Sequence, residues 1–381
     1  MGRMGAPFVW SSTAGQKPER WLWDAKTDLL LIGGGAYFLF AAVAIPAAFV
    51  WAGLGAALVT VFLHAGLIVN QPHYAATFHL AIKERAKQPR IFKWLIASLV
   101  VMVPVTIASV HWVDIALSPI TRIYLTWSAW HYSAQHFGIS AMYSARNQRP
   151  LLPAEKFPLQ VAFVGVAFFM MLSLNLIDPA SAASFGATGA AALASSARHA
   201  WAYPLGLFIV VVSMAAAILA HVRLKKRTGH GLELIAWMLL GTNFFWFVIP
   251  NLLLGKFNLW GRPEIALWFP FALPFFHCVQ YLGVTCHRTR SGGEVRPVYL
   301  LILLMAIGAL IFEGYSWGIT TVSGVDGEKA LALVMALVNI HHFWLDGMMW
   351  KRPKAKASWP IAAAALAAPD KSPLGRDGVT S

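Results

Sequence analysis

Runs of roughly twenty apolar residues recur along this chain from about residue 28 to residue 350, separated by short polar connections. Each run is long enough to cross a hydrocarbon core of about 30 Å as an α-helix. Inside lipid no water satisfies backbone N–H and C=O groups, so only helices or closed barrels can span it. The runs lack the alternation of barrel strands, and the chain reads as an all-α, polytopic membrane bundle of about ten transmembrane helices. The expected spans are roughly 28–50, 52–80, 91–113, 120–143, 157–177, 201–222, 231–252, 263–286, 297–314 and 328–350. Only 12% of the 381 residues are charged, about half the share of a soluble domain, which agrees with that reading.

The net charge of +14 does not mark a nucleic-acid partner, because the basic residues sit in short clusters between apolar runs. These clusters are Lys83 to Lys93, Arg146/Arg149, Arg223 to Arg227, Arg288 to Arg296, and Lys351 to Lys356, and they follow every second expected helix. By the positive-inside rule those connections are cytoplasmic, which places both termini inside. The opposite connections carry Asp114, Asp178, Asp326 and Glu328. Residues 1–27 are expected to form a cytoplasmic segment, since MGRMGAPFVWSSTAGQ lacks the apolar core of a signal peptide. Residues 28–350 form a single transmembrane domain, and 351–381 a basic, disordered cytoplasmic tail. The expected location is integral to a membrane, of the bacterial inner (plasma) membrane type. Cys278 and Cys286, eight residues apart on one expected helix, are separated by about 12 Å of rise, too far for a bridge.

Four of the expected helices, the second, fourth, eighth and tenth, carry a polar box: NQPHYAATFH (70–79), WHYSAQHFG (130–138), FHCVQY (276–281) and NIHHFWLDG (339–347). All four run in the same direction under this topology. Lys83, Arg146 and Lys351 lie ten residues beyond His73, His136 and His341, and Arg288 lies eleven beyond His277. At 1.5 Å per residue, the boxes share one layer about 15 Å inside their cytoplasmic anchors. Strongly polar side chains are costly in lipid, so they face the bundle interior and mark a site.

Helical spacing assigns each box an inward stripe: Asn70, His73 and Thr77; His131 and Gln135; His277, Gln280 and Tyr281; Asn339, His342 and Asp346. His79, His136 and His341 lie about a third of a turn off those stripes. Neutral imidazole binds iron, copper and zinc and is cheaper to bury than a carboxylate. The candidate ligands are therefore His73, His79, His131, His136, His277, His341 and His342, enough for two metals. Asn70, Gln135, Gln280 and Asn339 are candidates to hold the distal imidazole N–H groups. Tyr281 and Asp346 are candidate catalytic residues that tune the site or relay protons. Gly33-Gly34-Gly35 lies inside an apolar run and is expected to serve close helix packing, while Pro46, Pro72, Pro104, Pro250, Pro270 and Pro274 predict kinks.

On these boxes the chain resembles the His-box integral-membrane non-haem di-iron oxygenases and desaturases. His-ligated iron carotenoid-cleaving membrane oxygenases offer a similar comparison. The spacings here are His73/His79, His131/His136, His277 alone and the pair His341-His342, where those families carry HxxxH and HxxHH. The resemblance implies a non-haem iron cofactor, two ions, with copper or zinc as alternatives. It also implies oxygenase, hydroxylase or desaturase chemistry on a lipid or other hydrophobic substrate, fed by a cytoplasmic electron-donor protein. Two other functions compete: a metal ion or proton transporter, which needs polar groups through both leaflets, and a haem-binding electron-transfer protein.

Overall fold

The computed structural model describes residues 21–51, 53–86, 88–176, 202–249, 263–291 and 297–349. The expected terminal segments before residue 21 and after residue 349, and the Ala/Ser-rich connection that follows Asp178, lie outside these described residues. Within them every regular element is helical. A short turn α1 (Ala25–Thr27) runs through a π-turn (Asp28–Ile32) into α2 (Gly35–Val50). Then follow α3 (Leu54–Lys83), α4 (Pro89–His111), α5 (Val113–Arg146), α6 (Pro153–Leu176), α7 (Ala202–Thr228) and α8 (Leu234–Phe247). The last are α9 (Pro263–Ser291), α10 (Pro297–Ala309), a π-turn (Leu310–Gly314), α11 (Tyr315–Ser323) and α12 (Gly327–Met349).

Each expected span overlaps one of these helical stretches. Six stretches are long and apolar enough to cross a membrane: α3, α4, α6, α7, the α10–α11 pair and α12. The bent pair Ala25–Ile32 with Gly35–Ala47 makes a seventh. The shortfall from ten has a physical cause in two places. Helix α5 has 34 residues, but its polar box dilutes the apolar run. Helix α8 has only 14 residues.

Helices α3, α5, α9 and α12, which carry the four boxes, occupy the middle of the bundle. Helix α3 packs along α9, α10 and α12, and α5 packs along α6, α8 and α12. Helix α4 covers α12, and α7 covers α6. The exposed sides of α4 and α7 are Val-, Ile- and Leu-rich, including Val100, Val103, Ile107, Phe208 and Val211, as a lipid-facing surface requires.

The expected prolines Pro46, Pro72 and Pro104 lie inside continuous helices, as do Pro270 and Pro274, and Pro250 lies outside the described residues. A sharp bend falls at the glycines, where Ala25–Ile32 and Gly35–Ala47 meet at 59°. Gly34 adopts φ 85°, and a Cβ there would sit 2.3 Å from Thr242 Oγ1. The break frees carbonyls that side chains approach: Gln280 Nε2 donates to Ile32 O at 3.0 Å, and Thr242 Oγ1 shares its proton between Met238 O at 2.8 Å and Gly33 O at 3.1 Å. The glycine run thus packs closely, as its sequence suggests, and also ends one helical segment and starts the next.

Asp28, in the π-turn just before this break, is fully buried. Its carboxylate accepts from Leu22 N at 2.6 Å, Trp23 N at 3.2 Å and Tyr143 Oη at 2.6 Å. Trp23 Nε1 donates to Gly283 O on α9, and Arg146 to Trp21 O. Segment 21–32 is therefore clamped onto α5 and α9, two of the helices that carry the His boxes.

Close backbone approach fixes α10 against α3. A Cβ on Gly308 would meet the backbone C and O of Gln71 at 2.6 and 2.7 Å, two residues before His73. Gly308→Ala is expected to cost about 1–3 kcal/mol through overpacking. Gly241→Ala, whose Cβ meets only Phe38 at 3.5 Å, is the matched control in a thermal melt. Equal melting shifts for the two variants would contradict the close approach.

Candidate metal centre

Three of the four boxes converge on one point through His73 on α3, His131 on α5 and His342 on α12. Among the described residues, these three can each present a ring nitrogen within 4.8 Å of the others. His277 on α9 closes the fourth side, its ring centroid 5.1 Å from those of both His73 and His131. His73 and His342 are 4.4 Å apart by ring centroid, and His131 and His342 5.1 Å. All four imidazoles are buried. They are the four histidines of the helical stripes, one from each helix.

The surrounding rings fix their orientations. Phe343 stacks on His131 at 4.4 Å and 25°, and Tyr281 meets His73 edge-on at 4.2 Å. Tyr132 lies 4.0 Å from His277, and Tyr74 lies 4.9 Å from His342. Tyr74 Oη in turn donates to Asn339 Oδ1. Asn339, expected to hold an imidazole N–H, instead holds the tyrosine that abuts His342, and its amide donates to Met335 O.

Seven ring nitrogens of this cluster are buried without a hydrogen-bond partner: both of His73, both of His277, both of His342, and Nε2 of His131. Buried polar atoms are paired in the great majority of proteins, and each orphan costs about 1–3 kcal/mol. A ligand that accepts one lone pair from each imidazole would account for four of these seven nitrogens. A metal ion fits this donor set: it is all nitrogen, neutral and set in an apolar shell, which suits iron, copper or zinc and disfavours magnesium or calcium.

The other three candidate ligands stand apart. His136 Nε2 lies 3.0 Å from Gln280 Oε1. Because the Gln280 amide nitrogen donates to Ile32 O, the proton of this bond belongs to His136. Gln280 thereby ties His136 to the broken helix rather than supporting an imidazole of the cluster, and the His136 ring packs on Trp246 at 4.8 Å. His341 points toward α4, with Nε2 2.7 Å from Ser98 Oγ and its ring stacked on Phe78 at 5.3 Å. Ser98 Oγ also lies 2.9 Å from Leu95 O. His79, six residues beyond His73 and a third of a turn off its stripe, is half-buried. The reason is geometric: shared depth brings side chains to one layer, and direction around each helix decides which meet.

Behind the cluster, Tyr281 Oη donates to Asp346 Oδ1 at 3.0 Å and lies 3.0 Å from Thr77 Oγ1. The tyrosine proton is committed to the carboxylate, so Thr77 donates to the phenol oxygen. Asp346 stands one hydrogen bond behind a ring that contacts His73. Asn70 Oδ1 and both amide atoms of Gln135 are buried without partners. Two acids escape the sequence reading. Asp28 looks like a polar helix end, and Glu313 is one charge in an otherwise apolar run. Only the π-turns that carry them reveal their settings. In comparisons with known proteins, the chain matches no family model, no curated protein and no solved structure.

Proposed function

We propose that this chain is an integral-membrane metalloprotein in which His73, His131, His277 and His342 hold one metal ion. In this reading it works as an oxidoreductase of the oxygenase, hydroxylase or desaturase type on a lipid or other hydrophobic substrate. The observation that carries the reading is the set of seven orphaned ring nitrogens on four converging helices. Bound there, an iron or copper ion would supply redox chemistry. The protein's part is to bind, orient and exclude water. Phe343, Tyr132 and Tyr74 hold the imidazoles in place and keep the site apolar. Tyr281 and Asp346 hold a proton one contact away from His73. Four converging imidazoles suit a single ion better than the pair implied by the di-iron resemblance, since Nε2 of His136 and of His341 have other partners.

The basic clusters support a topology of ten crossings with both termini cytoplasmic, the site lying in the cytoplasmic half of a bacterial inner membrane. Electrons would come from a separate cytoplasmic donor, since the chain carries no flavin or iron–sulfur motif.

The test is dioxygen consumption by iron- or copper-loaded protein in lipid nanodiscs containing a bacterial lipid extract and a chemical reductant, with products read by mass. Lipid-dependent consumption with a product 16 mass units heavier or 2 lighter, absent in His277→Ala, is expected. Uptake of metal or protons into sealed vesicles with no oxidised product would replace this reading with transport. Tyr281→Phe is expected to retain the metal and lower turnover by about 10²-fold with an altered pH profile, the scale of lost proton transfer. Unchanged turnover would remove Tyr281 and Asp346 from the chemistry.

A further inference from the structure

Glu313 lies far from the ends of an apolar helical pair. The stretch Val298–Ser323 is one of the membrane-crossing candidates, and Glu313 is ten residues, about 15 Å of rise, from its Ser323 end. Its side chain is exposed on the outside of the bundle, on the π-turn Leu310–Gly314. Its hydrogen-bond partner among the described residues is Gln71 Nε2 at 3.2 Å, a neutral amide that cannot balance a carboxylate. On the same side, Leu310 and Trp317 are each 72% exposed.

The surface around the carboxylate has the shape of a helix seat. Leu310, Gly314, Gly318 and Thr321 recur at three- and four-residue steps with Glu313 and Trp317, four apart, beside them, so the six share one stripe. Gly314 and Gly318 form a GxxxG pair within that stripe, a spacing that lets a second helix approach closely. Nothing lies within 4 Å of a Cβ built on Gly318, and the nearest such atom at Gly314 is Leu310 Cδ1 of its own turn. Among the described residues, no other helix comes within 4 Å of a Cβ built on Gly314 or Gly318. Elsewhere the chain uses the same device internally, where Gly308 seats the backbone of Gln71.

A charged group in the hydrocarbon is retained where it pairs, and the complement of a lone carboxylate is a basic side chain. We propose that the stripe from Leu310 to Thr321 is the docking face for a transmembrane helix of a partner protein, one that carries a lysine or arginine at mid-membrane to pair with Glu313. Gly314 and Gly318 let that helix come close enough for its basic side chain to reach the carboxylate. Gln71, two residues from His73, then lies directly behind the pair and links the docking face to the candidate metal centre. The proposal holds whatever the metal centre catalyses.

The test uses the full chain, labelled with a fluorophore and reconstituted in phosphatidylcholine vesicles, with a labelled leucine-rich transmembrane peptide bearing one central lysine. An all-leucine peptide is the control. Energy transfer is expected to reach half-saturation at about tenfold lower mole fraction for the lysine peptide. Glu313→Gln, which keeps an acceptor for Gln71, should abolish the preference, and Gly318→Leu should weaken binding of both peptides. Unchanged melting of both variants by circular dichroism separates docking from folding. Equal binding of the two peptides to the wild type would overturn the proposal, as would a preference that survives Glu313→Gln. Energy transfer between copies of the chain alone, lost in Glu313→Gln, would also overturn it in favour of a second copy.

Discussion

Replacing His342 with alanine is expected to strip the metal from the protein, while replacing its neighbour His341 leaves the metal bound. The two residues are adjacent in sequence and lie on opposite sides of this distinction. His342 puts two unpartnered nitrogens beside His73 and His131, whereas His341 is hydrogen-bonded to Ser98 and stacks on Phe78. Loss of a group that merely supports a ligand already costs about 10–100-fold in metal affinity. Loss of His342 itself should therefore exceed about 100-fold, and loss of His341 should cost less than about tenfold. Dialysis against chelators of graded strength, followed by elemental analysis, reads both. Equal losses from the two variants would place both imidazoles on metal and restore a two-metal centre.

Asp28→Ala carries the largest expected penalty in stability. It leaves Leu22 N and Tyr143 Oη facing an empty acceptor site in a buried position, at about 1–3 kcal/mol for each orphaned group. A total of about 3–5 kcal/mol matches the cost of breaking a buried charged network. Denaturation in mild detergent should show it, and Tyr143→Phe, which removes one donor and its need together, should cost much less. A loss below about 0.5 kcal/mol for Asp28→Ala would mean that segment 21–32 does not clamp α5 and α9 as described.

The helical class and the convergence of four histidines were legible in the sequence because both rest on local periodicity. Apolar runs mark helices, and i to i+4 spacing selects His73 with Thr77, His277 with Tyr281 and His342 with Asp346. Depth alone was less discriminating. It brought His136 and His341 into the right layer, but a layer leaves the angle around each helix undetermined, and their rings belong to Gln280 and Ser98. The supporting polar residues were harder still. Gln280 does hold an imidazole N–H, that of His136, but also a carbonyl freed by the Gly33–Gly34 break, and Asn339 holds a tyrosine on α3. Both depend on how distant segments pack. The same holds for Asp28 and Glu313, whose roles arise from π-turns that no local pattern announces.

The account stands most directly on how many metal ions four histidines hold. Elemental analysis of freshly purified protein, with X-ray absorption at the metal edge and an optical spectrum, measures this. The expected result is about one iron, copper or zinc per chain, three or four imidazole nitrogens at about 2.0–2.1 Å, and no Soret band. Two metals per chain with metal–metal scattering, a haem spectrum, or active protein free of metal would contradict it.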